Sequence, residues 1–115
     1  MRHIHASIDI GSNTLRLSIA QPSTDPRATQ PWKTIDYAHR ITRLGQGLHG
    51  SGILSEAGME RAVDALKEFR NLINRYEVKP QHTYAVATAA VREAENGKFF
   101  KKLVQRETGI DISII

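Results

Sequence analysis

The stretch IHASIDIGSNTLRLSIA, from Ile4 to Ala20, is the sequence feature that most constrains the fold. Apolar residues alternate with polar residues on both sides of Gly11, Ser12 and Asn13. Strict alternation is typical of a strand that buries one face. Glycine, serine and asparagine favour tight turns, because they tolerate turn geometry or bond their own backbone. The stretch therefore predicts two antiparallel strands that are joined by a hairpin turn.

This turn has two interpretations. Asp9 precedes it, and Gly11, Ser12, Asn13 and Thr14 supply backbone N–H groups together with hydroxyl and amide side chains. Such a loop can bind phosphate oxygens while the carboxylate holds Mg²⁺ that bridges to them. The same residues also make an ordinary hairpin turn that needs no ligand. Spacing alone leaves both interpretations open.

The rest of the chain predicts an α/β fold. Alternation over Lys33–Leu44 predicts a third strand, and apolar residues at three- and four-residue steps over Leu54–Val78 predict a helix. A nearly continuous apolar run over His82–Val91 favours a buried parallel strand. The pattern then predicts a helix that begins at Asn96 and a fifth strand that begins at Asp111. The predicted order βββαβαβ is a three-strand antiparallel meander plus parallel strands flanked by helices.

Two loops interrupt this order. Three of the four prolines lie within Gln21–Trp32, which we expect to be an exposed loop without chemistry. Four of the eight glycines lie within Gly45–Gly52, and they favour a flexible crossover from strand to helix. A glycine-rich loop can also lie against phosphates. Arg40 and Arg43, just before it, fit either a solvated strand edge or a position facing a phosphate.

Composition bounds the class of protein. The 115 residues fit a single domain, 1–115, and the chain stops within the apolar fifth strand, so we expect part of a truncated lobe. The absence of cysteine excludes disulfides, thiolate metal sites and cysteine nucleophiles. A net charge of +4 favours anionic partners. The first residues contain no apolar run suited to a signal peptide or a membrane span, so we expect a cytoplasmic protein without a membrane partner.

The histidines do not form a recognisable metal motif. His3 and His5 share one face of a predicted strand, whereas His39, His49 and His82 are scattered along the chain. None of the spacings resembles that of a zinc site. We therefore expect no histidine metal centre.

Four blocks of sequence together resemble the exopolyphosphatase and guanosine pentaphosphate phosphohydrolase (Ppx/GppA) family. They are IDIGSNTLRLSIA, then RITRLGQGL, then SGILSEAGMERAVDALKEF, then VATAAVREAENG with ETGIDISII after it, and they follow the family's order and spacing. The resemblance implies a ribonuclease H-like fold of the actin-like ATPase superfamily. This chain would be the N-terminal half-domain of one lobe.

The resemblance also implies an activity and the residues that serve it. The family hydrolyses terminal phosphoanhydride bonds of inorganic polyphosphate or guanosine pentaphosphate. Asp9 would hold Mg²⁺, Gly11–Thr14 would bind phosphate oxygens, and Arg92 would be the catalytic residue that contacts the substrate phosphates. The family's catalytic glutamate and second phosphate loop have no counterpart in this chain, since Glu93 and Glu95 match a helix-start block. The chain alone is therefore expected to be inactive.

Other functions stay open at this level. The main alternative is a non-catalytic sensor module that binds nucleotide or polyphosphate. A kinase-like phosphotransferase of the same superfamily is disfavoured by the RITRLG and VREAEN blocks. A nucleic-acid binder ranks last of these functions, because only seven aromatic residues occur and they are not interleaved with basic ones. The choice between polyphosphate and guanosine pentaphosphate is undetermined, and exposed sheet edges make a homo-oligomer possible.

Overall fold

A mixed five-stranded sheet organises the computed structural model, which describes residues 3–115. The strands are β1 (His5–Ile10), β2 (Thr14–Pro22), β3 (Trp32–Ile41), β4 (Thr83–Ala87) and β5 (Ile112–Ile114). The helices are α1 (Leu48–Ser51), α2 (Glu56–Arg75), α3 (Ala89–Glu93) and α4 (Gly97–Thr108), and a short 3₁₀ helix spans Pro80–His82.

The sheet has the order β3-β2-β1-β4-β5. The first three strands pair antiparallel, and β4 and β5 join as parallel strands beside β1. The predicted meander followed by parallel strands is therefore confirmed. Pairing of β1 with β4 has a consequence for function, because it brings the residues that follow β4 next to the turn that follows β1.

Only one face of the sheet carries the core. Alternate residues of β1 and β2 are at most 2% exposed: Ala6, Ile8, Ile10, Leu15, Leu17 and Ile19. They form one cluster with the apolar stripes of α2 and α4, which include Phe69 and Phe100. The intervening residues, such as Ser7 and Asp9, are exposed on the opposite face. The hydrophobic alternation thus directs Asp9 away from the core.

Helix α2 begins with a side-chain cap and ends earlier than its apolar pattern suggests. The hydroxyl of Ser55 accepts a hydrogen bond from the amide of Gly58 at 3.0 Å. The helix ends at Arg75 because Glu77 adopts a left-handed φ of 54°. The hydroxyl of Tyr76 then donates to Asp36 on β3 at 2.8 Å. This hydrogen bond raises the pKa of the Tyr76 hydroxyl, and burial and the carboxylate charge contribute in the same direction.

The prediction of a fourth strand over His82–Val91 is wrong for the second half of that range. Strand β4 ends at Ala87, and Ala89–Glu93 form helix α3. The amide of Thr88 still donates to Ile10 at 3.4 Å, and the amide of Arg92 then donates back to Thr88 at 2.9 Å, which begins the helix. A short run of alanine and valine is compatible with either element, because periodicity cannot distinguish a buried strand from a buried helix over so few residues.

The two predicted loops are shorter than expected. Strand β2 extends to Pro22 and β3 begins at Trp32, so only residues 23–31 connect them. Within Gly45–Gly52, the four residues of α1 form a helical turn that is flanked by left-handed glycines, with φ of 79° at Gly47 and 77° at Gly52. The loop is hydrogen-bonded on both sides and connects β3 to α2, as the predicted crossover requires, and its flexibility stays a prediction.

Thr42 provides a stability prediction. The residue is 2% exposed, and its Oγ1 forms no hydrogen bond with any described residue. Thr42→Val keeps the shape and removes a buried hydroxyl that lacks a partner, so we expect it to raise the free energy of unfolding by about 1 kcal/mol. Urea unfolding measures the change. Thr108→Val is the matched control with the opposite sign, because the Thr108 hydroxyl both donates and accepts. A loss of stability in Thr42→Val would contradict the expectation.

Candidate phosphate-binding site

The turn between β1 and β2 is closed by its own backbone. The amide of Gly11 donates to the carbonyl oxygen of Thr14 at 3.2 Å. That amide is consequently not available to a ligand. A Cβ at Gly11 would come within 3.0 Å of the same carbonyl oxygen, which accounts for the glycine at this position. Gly11 shapes the turn, and any donor to a phosphate must come from its other residues.

Ser12 and Asn13 offer the amides that Gly11 does not. Within residues 3–115, neither of these two amides donates to an acceptor, although both carbonyl oxygens are bonded. The Ser12 carbonyl accepts from Gly45 at 2.8 Å. The N–H and C=O of a trans peptide point in opposite directions, so the Asn13 amide points away from Gly45. Both side chains are exposed as well, and the tip of the turn therefore presents unpaired donors to solvent.

Asp9 lies next to the turn with its carboxylate unpaired. In the sheet it is in register with Arg16 on β2 and Val86 on β4. The side chain is exposed, and it takes part in none of the ion pairs found among the described residues. Mg²⁺ binds through one or two carboxylates plus substrate phosphates and keeps several waters. A free carboxylate beside free amides fits that ligand set.

Asp9 would have to share a metal ion with water or substrate. Across residues 3–115 there is no group of three or more His, Cys, Asp or Glu that could hold a metal ion. Within residues 3–115 a metal site made of three or more of these side chains is therefore absent.

A cavity of about 330 Å³ lies beside Ser12. Its walls come from the loop after β3, with Gly45 and His49, and from helix α3, with Ala90 and Glu93. Sequence reasoning assigned no role to His49 and set Glu93 aside. No local spacing connects either residue to Ser12, because the parallel pairing of β1 with β4 and the crossover after β3 bring them together.

Arg92 lies on the same helix but is not among the residues that line this cavity. One guanidinium nitrogen donates to the carbonyl oxygen of Ile115 at 3.1 Å, and the other lies 3.6 Å from the Glu93 carboxylate. Its side chain is 53% exposed. Arg92 is thus located at the end of β5, and its contact with substrate phosphates stays a prediction.

The arginines before the glycine-rich loop occupy different positions. Arg40 pairs with Glu68 on α2 at 2.7 Å and is half exposed, as expected for a solvated strand edge. The amide of Arg43 donates to the Asn13 carbonyl at 3.0 Å, and Arg43 has a left-handed φ of 51°. The backbone of Arg43 therefore supports the turn, a role that side-chain chemistry did not indicate.

Three histidines that are scattered in sequence come together at the other end of β1. The ring of His82 lies 4.6 Å from that of His3 and 4.8 Å from that of His5, between ring centroids. Burial lowers the pKa of His82, and the positive charges of His3, His5 and Lys79 add to the effect. The His5 and His82 rings are stacked at 19° to one another and do not converge on a common point. This cluster is separate from the turn.

Comparison with known proteins identifies the family. A model of the Ppx/GppA phosphatase family matches residues 26–115. The chain belongs to the Ppx/GppA phosphatase family. The match includes neither β1 nor the turn that follows it. The similarity of those residues to known proteins is shown by relatives that match nearly all of this chain.

Relatives match nearly the whole chain. A bifunctional 3-dehydroquinate synthase/phosphatase from Fusobacterium nucleatum is 35% identical over 112 residues, covering 97% of this chain and 17% of the relative. A guanosine-5'-triphosphate,3'-diphosphate pyrophosphatase from Pseudoalteromonas translucida is 29% identical, covering 99% of this chain and 22% of the relative. The chain thus spans about a fifth of the length of these curated relatives.

Solved structures confirm the fold. The Ppx/GppA family member from Aquifex aeolicus superposes with a TM-score of 0.89 at 36% identity, over all of this chain and 35% of that one. An exopolyphosphatase from Cytophaga hutchinsonii superposes with a TM-score of 0.86 at 30% identity, over all of this chain and 34% of that one. The predicted ribonuclease H-like half-domain of the actin-like ATPase superfamily is therefore confirmed.

Proposed function

We propose that this chain is the N-terminal phosphate-binding part of a phosphatase that hydrolyses terminal phosphoanhydride bonds of inorganic polyphosphate or guanosine pentaphosphate. The observation that carries the proposal is the pair of unpaired amides at Ser12 and Asn13, which lies beside the unpaired carboxylate of Asp9. Exposed N–H groups in a turn form a concavity that suits an anion. The two central amides of any hairpin turn are unpaired, so the feature that favours an anion-binding turn here is the free carboxylate of Asp9 beside them.

The residues of the turn supply binding and orientation. The amides of Ser12 and Asn13, with their side chains, donate to phosphate oxygens, and Arg92 contributes positive charge toward the substrate phosphates. Asp9 holds Mg²⁺, which when bound neutralises phosphate charge. Phosphoryl transfer asks mainly for positioning and for stabilisation of charge, and these residue types provide both.

The substrate class follows from the proposed family activity. One relative is named a guanosine-5'-triphosphate,3'-diphosphate pyrophosphatase, and one solved neighbour is named an exopolyphosphatase. Both substrates end in a phosphoanhydride, and the turn contacts only the phosphate part. The parent enzyme would be a cytoplasmic hydrolase, and none of the helices in residues 3–115 is long and apolar enough to cross a membrane.

The proposal predicts binding without turnover. We expect this chain to bind tripolyphosphate in the presence of Mg²⁺, as measured by isothermal titration calorimetry, and to release no phosphate from polyphosphate. Asp9→Asn should weaken the Mg²⁺-dependent binding at least about tenfold, since interactions with charged groups contribute about 1.5–3 kcal/mol. Asp64→Asn is the matched control, because Asp64 is an exposed carboxylate on α2, which lies on the core face of the sheet.

Each outcome has a defined meaning. If the wild-type chain does not bind tripolyphosphate with or without Mg²⁺, the proposed phosphate site is wrong. Clear phosphate release would contradict the proposed need for residues beyond this chain. If a longer parent protein that includes this chain binds guanosine pentaphosphate without hydrolysing it, the sensor module replaces the phosphatase.

A further inference from the structure

Arg61 on helix α2 is hydrogen-bonded to the segment that supports the phosphate-binding turn. Its Nε donates to the carbonyl oxygen of Thr42 at 2.7 Å. One terminal nitrogen makes longer contacts, at 3.5 Å to the Arg43 carbonyl and at 3.4 Å to the Gln46 side chain. These bonds connect the helix with residues 42–46, the segment that follows β3. A guanidinium suits this task, because it presents several donors in a fixed planar geometry.

Helix α2 also lacks a side chain where that segment passes closest. A Cβ at Gly58 would lie 2.9 Å from the capping Ser55 Oγ, 3.3 Å from the Leu44 carbonyl oxygen and 3.6 Å from that of Arg43. Gly58 and Arg61 are three residues apart and therefore share one face of the helix. The first turns of α2 are thus shaped to hold residues 42–44 by two independent features, a missing side chain and a long cationic one.

The other side of the segment holds the turn. The amides of Thr42 and Arg43 both donate to the Asn13 carbonyl, at 2.9 and 3.0 Å. Arg43, the second of these two residues, adopts a left-handed φ of 51°. Left-handed backbone is unfavourable for a residue other than glycine, so its surroundings have to maintain it. Arg61, which bonds both flanking carbonyls, is placed to do so.

These bonds form a continuous series from α2 to the turn. The guanidinium of Arg61 donates to the Thr42 carbonyl, the amide of the same peptide group donates to the Asn13 carbonyl, and that peptide group ends in the amide of Thr14. Hydrogen bonds in series polarise one another, and the peptide dipoles here are aligned with their positive ends toward the turn. The series ends at the Thr14 amide, so it acts on the free amides of Ser12 and Asn13 only through the position of the turn.

We propose that Arg61 is a positioning residue of the phosphate site: it fixes residues 42–45 so that the amides of the turn face the phosphate, without touching the phosphate itself. This inference rests on the proposed function, because it assigns a role within the same site. It also assigns the crossover after β3 to the site. The sequence does not indicate this role for Arg61, because the spacing of the basic residues in α2 predicts only that they face solvent.

Two measurements on the same variants test the proposal. The probe is tripolyphosphate with Mg²⁺, titrated calorimetrically, and backbone amide hydrogen exchange is followed by NMR at Thr42, Arg43 and Gly45. Arg61→Gln should weaken binding about tenfold, by the loss of a charge-assisted hydrogen bond, and should speed exchange at these three amides. Arg61→Lys should keep part of the binding affinity and part of the amide protection that Arg61→Gln loses, because its ammonium group can still donate to the Thr42 carbonyl.

Arg70→Gln is the matched control. Arg70 is a basic residue on the same helix, and among the described residues its side chain takes part in no hydrogen bond or ion pair. We expect this variant to leave both binding and exchange unchanged, although it removes the same charge.

The outcomes separate this inference from the proposed function. If wild-type protein does not bind tripolyphosphate, the phosphate site fails, while faster exchange in Arg61→Gln would still support the positioning of residues 42–45. Weaker binding with unchanged exchange would mean that Arg61 contacts the anion directly, and would overturn the inference. Unchanged binding together with unchanged exchange would overturn it as well. Where Arg61→Gln fails to fold, the comparison of Arg61→Lys with wild type decides the question in the same way.

Discussion

Replacing Gly97 with alanine should lower the free energy of unfolding by at least about 3 kcal/mol, at the upper end of the cost of overpacking. Gly97 is the buried first residue of α4. A Cβ at this position would overlap the carbonyl oxygen of Val91 in α3, closer than real Cβ atoms approach any neighbour. A backbone atom cannot rotate away as a side chain can. The variant must therefore separate α3 from α4 or fail to fold.

Thermal unfolding measures this effect. For a domain of this size, 3 kcal/mol corresponds to a decrease in Tm of roughly 10 °C or more. Gly50→Ala is the matched control, because Gly50 lies in the exposed helix α1 and a Cβ there would meet nothing within 4 Å. We expect the control to be neutral or to gain up to about 1 kcal/mol from higher helix propensity. Equal stability of Gly97→Ala and wild type would mean that α3 and α4 do not pack as described.

The segment between α3 and α4 also connects α3 with the candidate phosphate site. Between the two helices, the side-chain amide of Asn96 accepts from the Leu54 amide at 2.8 Å and donates to the Leu54 carbonyl at 2.9 Å. The amide of Glu95 donates to Gly52 at 2.9 Å. These three bonds hold the end of the glycine-rich loop against α3, and the cavity beside Ser12 lies between the two. Loss of the Gly97 packing would therefore disturb the site as well as the core.

Sequence periodicity predicted the parts of the fold that depend on neighbours in the chain. Alternation about Gly11 identified β1 and β2 because each strand buries one face, and the apolar steps from Met59 identified α2. Periodicity failed at Ala89–Glu93, where small residues fit strand and helix alike, and where the pairing of β4 with β1 ends with the hydrogen bond from Thr88 to Ile10. That bond joins residues far apart in sequence.

The candidate site likewise contains residues that are close in sequence and residues that only the tertiary structure brings together. Asp9, Ser12 and Asn13 could be proposed from the sequence, because all three lie in one hairpin, and their role in binding stays a prediction. His49, Glu93 and Arg61 were not assigned to it, because their positions result from crossovers between distant elements. The resemblance to a family connected the distant VREAEN block with the turn through Arg92, whose hydrogen bond is to Ile115. Contact at the site depends on tertiary structure.

Gly45→Val is the variant that should most weaken the phosphate site while it leaves the core intact. The amide of Gly45 donates to the Ser12 carbonyl at 2.8 Å, and a Cβ at Gly45 would lie 3.1 Å from the Ser12 Cβ. The Ala90 Cβ is 3.5 Å away on the other side, so the added atoms cannot move toward α3. Ser12 lies at the exposed tip of a turn, and it must therefore be the residue that shifts.

A shift of Ser12 rotates the peptide group that carries the Asn13 amide. We expect binding of tripolyphosphate with Mg²⁺ to weaken more than about tenfold, which corresponds to the loss of about 1.4 kcal/mol or more of binding free energy. The stability cost should be smaller than that of Gly97→Ala, because the turn tip is solvated. Calorimetric titration and urea unfolding on the same samples separate the two effects.

Gly50→Val serves as the control for Gly45→Val, since it adds the same side chain to the same loop where a Cβ has no neighbour within 4 Å. It should bind tripolyphosphate as the wild type does. If Gly45→Val also binds with unchanged affinity while its unfolding shows the expected strain, the turn has moved without consequence for the anion. The amides of Ser12 and Asn13 would then not be the donors, and the phosphate would have to bind elsewhere on this sheet.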